Sequence, residues 1–257
     1  MPFASIMIFF SLYSFLGWAM ETVYCSILAQ KFVYRGFLLG PVCPIYGFGS
    51  LAVVLILWPF RGHPELIFLF GMIITSALEY SVSVLLEKLF KKSWWNYSDK
   101  KFNVNGRICL QNSILFGTLS LFLVYILHSS FLDIINRISV TVQLNTSGFL
   151  ALIFCIDIIF SVRTVVNFNR EMNKLSVLTE TIENKREELK AALEAFRDEQ
   201  KEKLEFELSG LISLQEDNMV SFIKKMHRIL NAFPHMRLHR KDKLSLSDRL
   251  VSYRWKK

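Results

Sequence analysis

Hydrophobic side chains in the first two thirds of the chain form long runs that polar residues interrupt at intervals. Five runs are long enough to cross a hydrocarbon layer of roughly 30 Å as helices, which rise about 1.5 Å per residue. They cover residues 3–28, 37–60, 66–86, 108–131 and 144–168. The pattern therefore predicts an all-α, polytopic membrane bundle of five transmembrane helices within residues 1–168.

The second run contains residues that interrupt helices. The stretch from Arg35 to Gly49 holds Gly36, Gly40, Pro41, Pro44, Gly47 and Gly49. Each proline lacks a backbone donor and crowds the turn before it, so a continuous helix is excluded there. Irregular backbone at membrane depth must be buried in protein or face water. We therefore predict that the second helix is broken, and a broken helix beside intramembrane charge is typical of a transport site.

Beyond residue 168, apolar side chains recur at three- and four-residue steps among many charges. This spacing indicates a long amphipathic cytoplasmic helix over residues 169–232. Its apolar positions average about 3.6 residues apart, which favours a helical hairpin or packing against a partner over a strict parallel coiled coil. Residues 233–257 form a basic tail that either binds anionic lipid or remains solvated.

Basic residues in the connections predict the orientation. Lysine and arginine concentrate in the first and third connections and after the last run, whereas the other two connections hold only Arg61 and Arg137. Cytoplasmic segments carry such an excess. The N-terminus is therefore predicted outside the cell membrane and the C-terminus in the cytoplasm. These loops account for the formal charge of +8, so we expect membrane lipid, and no nucleic acid, as a partner.

Three acidic residues, Glu21, Glu79 and Asp157, lie inside the predicted spans. A charge at the centre of a membrane helix costs about 2.5 to 3.5 kcal/mol on insertion scales, so each needs compensation. One interpretation is a binding or translocation site whose carboxylates titrate or pair with substrate. The other is a set of fixed salt bridges that hold the bundle together.

The direction in which the chain crosses the membrane predicts which polar residues share a depth. The cytoplasmic half collects the following candidates: Glu21, Arg35, Cys43, Tyr46, Glu87 and Arg107. We predict a polar pocket there, in which Arg35 and Arg107 face the carboxylates of Glu21 and Glu87. The other two intramembrane acids are placed deeper in this pocket.

Aromatic residues cluster in the third connection, at residues 93–98, where Trp95 and Tyr97 are candidate site residues. Such rings settle at the level of the lipid headgroups. They could also hold a ligand if their faces converged on one point.

Enzyme motifs are missing from the sequence. It has no P-loop, no nucleophile elbow and no His-Glu-x-x-His, and its four cysteines lack metal-ligand spacing. We therefore expect no catalytic residue, metal or cofactor. A minor alternative is that Cys43, between two prolines and near Arg35, acts as a nucleophile.

Several motifs resemble the family called Putative ABC-transporter type IV, a group of bacterial membrane proteins. The similarity lies in Gly17-Trp18 with Glu21, Arg35-Gly36, Gly40 to Gly47, Leu78-Glu79-Tyr80, Glu87-Lys88, Trp94 to Ser98, Asn105 to Ile108 and Ala232 to Met236. Asn96 departs from the family's pattern, which usually has Asp. The resemblance implies a permease-like subunit with a separate ATPase bound at the cytoplasmic face.

Three functions are consistent with these features. The first is the permease-like subunit, with a polar cavity open to the cytoplasmic side; because the bundle is small, it would work as a homo- or hetero-oligomer. The second is a membrane-anchored scaffold or regulator that acts through its cytoplasmic helix. The third is a lipid-modifying enzyme that uses Glu79 with Cys43 or Tyr46.

Overall fold

A computed structural model describes residues 2–195, 198–233 and 236–237. Its secondary structure is almost entirely helical, so the predicted all-α class is confirmed. The helices are α1 (Phe3–Ala29), α2 (Pro44–Leu57, followed by a 3₁₀ turn at Trp58–Phe60), α3 (Pro64–Phe90), α4 (Leu110–Phe122), α5 (Ser129–Asn136), α6 (Val140–Ala195) and α7 (Asp198–Ala232). A π-helical turn, Leu123–His128, joins α4 to α5. Two short antiparallel strands, β1 (Asn103–Val104) and β2 (Ile108–Cys109), lie between α3 and α4.

Within the described residues, four helical segments are long and apolar enough to cross a membrane. They are Phe3–Ala29, Pro64–Phe90, Leu110–Asn136 and Val140–Leu189. The apolar segment Pro44–Phe60 is shorter. The second predicted run is thus helical only from Pro44, which occupies the first helical position, where its missing N–H costs nothing.

Small residues let the helices of the bundle approach closely. A β-carbon at Gly17 on α1 would collide with the Tyr46 ring on α2, and one at Gly47 would collide with the Ser14 hydroxyl on α1. Such contacts are typical of membrane helices, whose association depends on close packing. Together with the α3–α4 and α1–α6 contacts, they assemble the bundle.

The last two helices form an antiparallel hairpin. α6 continues without a break for 56 residues, so its apolar first half and charged second half belong to one helix. α7 returns along it and brings Phe222 to 5.8 Å from Phe168, measured between ring centroids. The apolar spacing of residues 169–232 favours either a helical hairpin or packing against a partner, and the structure has this α6/α7 hairpin.

The base of the hairpin packs on one end of the bundle, which we call the loop end because the segments 30–43 and 91–109 lie there. A buried apolar cluster joins α3, segment 91–109, α6 and α7 at this place. Its members include Phe90, Trp94, Phe168, Met219, Phe222 and Met236. A second apolar cluster, around Phe9, Val54 and Val124, fills the interior of the bundle. The loop end is therefore a junction of membrane helices, irregular segments and hairpin.

Candidate functional site

Polar side chains of α1 hold the irregular segment 30–43 in place. The Val33 amide donates to Ser26 Oγ at 2.9 Å, and the Arg35 amide donates to Thr22 Oγ1 at 3.4 Å. The chain then turns at Gly36, whose φ of +108° is one that other residues rarely adopt. Sequence reasoning missed Thr22 and Ser26, although their four-residue spacing on a membrane helix was a usable signal.

Asp157 on α6 anchors the far side of the same segment. Its two carboxylate oxygens accept the Leu39 and Gly40 amides, each at 2.8 Å, and Ser161 Oγ donates to Oδ1 at 3.0 Å. A β-carbon at Gly40 would lie only 2.9 Å from Asp157 Oδ2. The charge is therefore compensated by the segment itself. None of these contacts joins Asp157 to the other predicted site acids.

Glu21 on α1 forms a part-buried ion pair with Arg35. Its Oε1 accepts a hydrogen bond from Arg35 Nε at 3.0 Å and lies 2.9 Å from Arg35 Nη2. Burial alone would lower the pKa of Arg35, but the neighbouring Glu21 carboxylate outweighs that effect and the pKa is raised. Arg35 also donates to the Ala232 carbonyl at the end of α7 and lies over the Phe233 ring. One guanidinium thus links α1, segment 30–43 and the hairpin.

Glu79 on α3 contacts the other irregular segment. The Tyr97 hydroxyl donates to Glu79 Oε1 at 3.1 Å. Glu79 is 7% exposed, and its Oε2 has no hydrogen-bond partner among the described residues. Burial, and after it the Glu79 carboxylate, raise the pKa of Tyr97, so this phenol stays protonated and acts as a donor.

Glu87, two turns further along α3, pairs with Arg107. Arg107 Nη2 lies 2.7 Å from Glu87 Oε2, and its guanidinium sits over the Tyr80 ring. Trp95 Nε1 donates to the Arg107 carbonyl at 3.0 Å. Trp95 also packs against the apolar cluster at the hairpin base, so it supports the fold of segment 91–109.

Asn96 closes the turn in the same segment. Its Oδ1 accepts the Ser98 amide at 2.9 Å and the Ser98 hydroxyl at 2.6 Å. An aspartate would offer the same acceptor oxygen. Asn96 therefore keeps the turn that an aspartate could make, without adding a charge.

The structure brings five of the ten predicted site residues into one group. We call Glu21, Arg35, Tyr46, Glu79 and Tyr97 the acid cluster. Tyr46 and Glu79 both lie near enough to the Glu21 carboxylate for its charge to act on them. Cys43 borders this cluster but is only 4% exposed.

The hairpin base makes contacts that no sequence pattern indicated. Phe233 packs edge-to-face on Trp94, with centroids 4.6 Å apart, and Ser93 pairs with Arg237 through two backbone hydrogen bonds of 3.0 and 2.9 Å. Arg228 Nη1 donates to the Leu38 carbonyl at 3.2 Å. Both irregular segments are thus fastened to the end of α7.

Two cavities lie outside the acid cluster. One, of about 430 Å³, is an apolar groove between α1, residues 40–42 and α6; the other, of about 600 Å³, is an open groove between the two helices of the hairpin. Neither is lined by Glu21 or Glu79. Among the described residues, no group of three His, Cys, Asp or Glu side chains could hold a metal ion.

Apolar helices of spanning length, joined by irregular segments over buried charges, define a polytopic helical membrane protein. More particularly, the chain belongs to the family described as Putative ABC-transporter type IV, whose model matches residues 8–162. This is a membrane protein related to transport, and the match includes all ten predicted site residues. No curated protein and no solved structure matches the chain.

Proposed function

We propose that the protein is a permease-like subunit of a membrane transporter that works with a separate ATPase. The observation that carries this proposal is the position of the acid cluster. It lies beneath both irregular segments and touches the hairpin base through Arg35. A transport site needs buried polar groups beside a broken helix, and an external energy source needs a mechanical connection to that site.

The acid cluster supplies the polar groups. Its charged residues come from α1, α3 and segment 30–43, so a relative movement of these elements would separate or join Glu21 and Arg35. Ionisable groups are expensive in a membrane unless they pair, so two different pairings would correspond to two arrangements of the bundle. Such alternation between arrangements is what a permease requires.

The α6/α7 hairpin supplies the connection. The sequence has no P-loop of its own, so an ATPase must be a separate chain. The predicted cytoplasmic surface formed by segment 91–109 and the hairpin is the natural docking place. Movement of the hairpin base would act directly on Arg35 and on Trp94, which belong to the two irregular segments.

Co-purification tests the proposal. We would purify the tagged full-length chain in mild detergent, identify the accompanying chains by mass spectrometry and assay ATPase activity. A stoichiometric P-loop ATPase is expected, and its activity should fall in Arg35→Ala while the ATPase stays bound. Glu65→Gln, at an exposed contact between Glu65 and His63, is the control. Absence of any ATPase would overturn the proposal.

A scaffold is the second candidate, favoured by the length of the hairpin. After Phe168, α6 continues for about 40 Å at about 1.5 Å per residue. A scaffold would keep its partners in Arg35→Ala and lose them when the hairpin is removed. The enzyme alternative is disfavoured because the Cys43 thiol is buried; we expect Cys43→Ser to leave activity intact.

A further inference from the structure

We propose that Glu79 is a reversible proton-binding site of the bundle. The inference deepens the proposed function by naming a proton as a ligand of the acid cluster. It rests on that function only for the use that transport makes of the proton.

The four carboxylates of the predicted site differ in their partners. Glu21 has the Arg35 guanidinium, Glu87 has Arg107, and Asp157 has two backbone amides and a hydroxyl. Glu79 forms no ion pair within the described part of the chain and receives one hydrogen bond, from a neutral phenol. It is the carboxylate whose charge is least compensated.

The surroundings of Glu79 disfavour its charged form. Its Oε2 is buried and receives no hydrogen bond from any residue that the structure describes, and an unpaired buried charge is costly unless the group takes up a proton. The groups that face it are Tyr97 from segment 91–109 and Glu21 from α1, with Tyr46 from α2 next to both. From α4, the Ser113 hydroxyl meets α3 one turn away, at Ser76.

The one cation in this group is already engaged. Arg35 gives Glu21 one hydrogen bond and a further ion-pair contact, and it donates another hydrogen bond to the hairpin. Arg35 therefore pairs with Glu21 and forms no ion pair with Glu79. The Glu21 carboxylate still repels a negative charge on Glu79. Binding of a proton at Glu79 removes this repulsion as well as the unpaired charge.

A proton also fits the available space. Neither cavity described above is lined by Glu79, and no trio of metal-ligating side chains occurs among the described residues. Glu79 Oε2 needs no additional volume to take up a proton. Access for proton exchange is expected along the Tyr97 side, where segment 91–109 covers the cluster.

Infrared spectroscopy of the purified full-length protein in nanodiscs, without any ATPase, tests the inference. Spectra are recorded over about pH 5 to 10, a range that includes the pKa values documented for buried glutamates. We expect a protonated carboxylic acid band that disappears as the pH rises, following a one-proton curve. The band should be lost in Glu79→Gln and retained in Glu21→Gln.

Tyr97→Phe gives a second measurement. The Tyr97 hydrogen bond favours the carboxylate, so its removal should increase proton affinity by about tenfold or more. A wild-type spectrum without such a band at any pH, or a band that survives in Glu79→Gln, would overturn the inference. If Glu79→Gln fails to fold, the wild-type titration and the Tyr97→Phe variant still test whether Glu79 binds the proton. Absence of an ATPase partner would not affect this result.

Discussion

Arg35 connects parts of the molecule that lie far apart in the chain. Its guanidinium meets Glu21 on α1, the Ala232 carbonyl at the end of α7 and the face of the Phe233 ring. The Arg35 and Glu21 side chains are 18% and 25% exposed, so water screens their attraction only in part. A planar group with several donors can serve all of these partners together, which an ammonium group cannot.

Arg35→Ala should lower the free energy of unfolding by about 1–3 kcal/mol, because it leaves a part-buried Glu21 carboxylate unpaired. Arg35→Lys should recover only part of this loss. Thermal unfolding in detergent measures both effects. Glu65→Gln, which alters a pair whose two side chains are more than half exposed, should change little, and an equal loss there would contradict the explanation.

Asp157 shows how far single residues could be predicted. The sequence marks it as an intramembrane acid in need of compensation, and the structure supplies that compensation from the Leu39 and Gly40 amides. The sequence cannot distinguish an acid that binds a ligand from one that only holds the fold, because a ligand and a backbone amide can satisfy the same carboxylate oxygen. By contrast, opposite charges at one predicted depth paired as expected, as in Glu87 and Arg107.

Asp157→Asn tests this anchoring role. The amide keeps one acceptor oxygen but presents an NH₂ group to an amide donor, so one hydrogen bond is lost. We expect faster hydrogen exchange at the Leu39 and Gly40 amides, measured by mass spectrometry on peptides covering segment 30–43. Unchanged exchange in that segment would show that α6 does not anchor it.

Between helices, the contact of α1 with α2 depends on glycine. At Gly47 a β-carbon would meet the Ser14 hydroxyl and the Phe10 ring, whereas at Gly148 on α6 it would meet nothing within 4 Å. Gly47→Ala should therefore destabilise the protein by about 1–3 kcal/mol through overpacking. Gly148→Ala should be neutral or slightly stabilising, since alanine favours helix. Thermal unfolding of the two variants compares them, and equal effects would argue against close packing.

The base of the hairpin can be weakened by one truncation. Phe233→Ala removes the ring that packs on Trp94 and lies under Arg35, so the end of α7 should detach more often from both irregular segments. Hydrogen exchange in peptides covering α7 should increase several-fold near Leu230. Phe206→Ala, at a side chain 78% exposed on the same helix, should leave that exchange unchanged.

Helices were more predictable than their contacts. Long apolar runs revealed the membrane helices because a bilayer imposes length and composition on each of them separately. The contacts of Arg35 with Ala232 and of Ser93 with Arg237 join residues more than a hundred positions apart. Such contacts depend on where α7 returns, and no local periodicity encodes that.

For the whole molecule, the orientation in the membrane is testable. Both irregular segments contact the hairpin base, so they share one side of the bundle with it, and the positive-inside rule predicts that this is the cytoplasmic side. Cysteines placed at exposed Lys100 and Gly62, in a variant without the native cysteines, should react differently with an impermeant maleimide in intact cells. Gly62 should react and Lys100 should react only after permeabilisation; the reverse result would invert the orientation.

The uninterrupted course of α6 has a mechanical consequence. A helix of 56 residues is about 84 Å long and behaves as a stiff rod. Pivoted where it leaves the bundle near Phe168, it converts a tilt of about 5° within the bundle into a sweep of about 3–4 Å at a point about 40 Å away. The same rod can also transmit force in the opposite direction, from its far end into the bundle, where the lever arm is shorter. A modest force applied at the far end would act on the Asp157 anchor, which lies closer to the pivot, as a larger force.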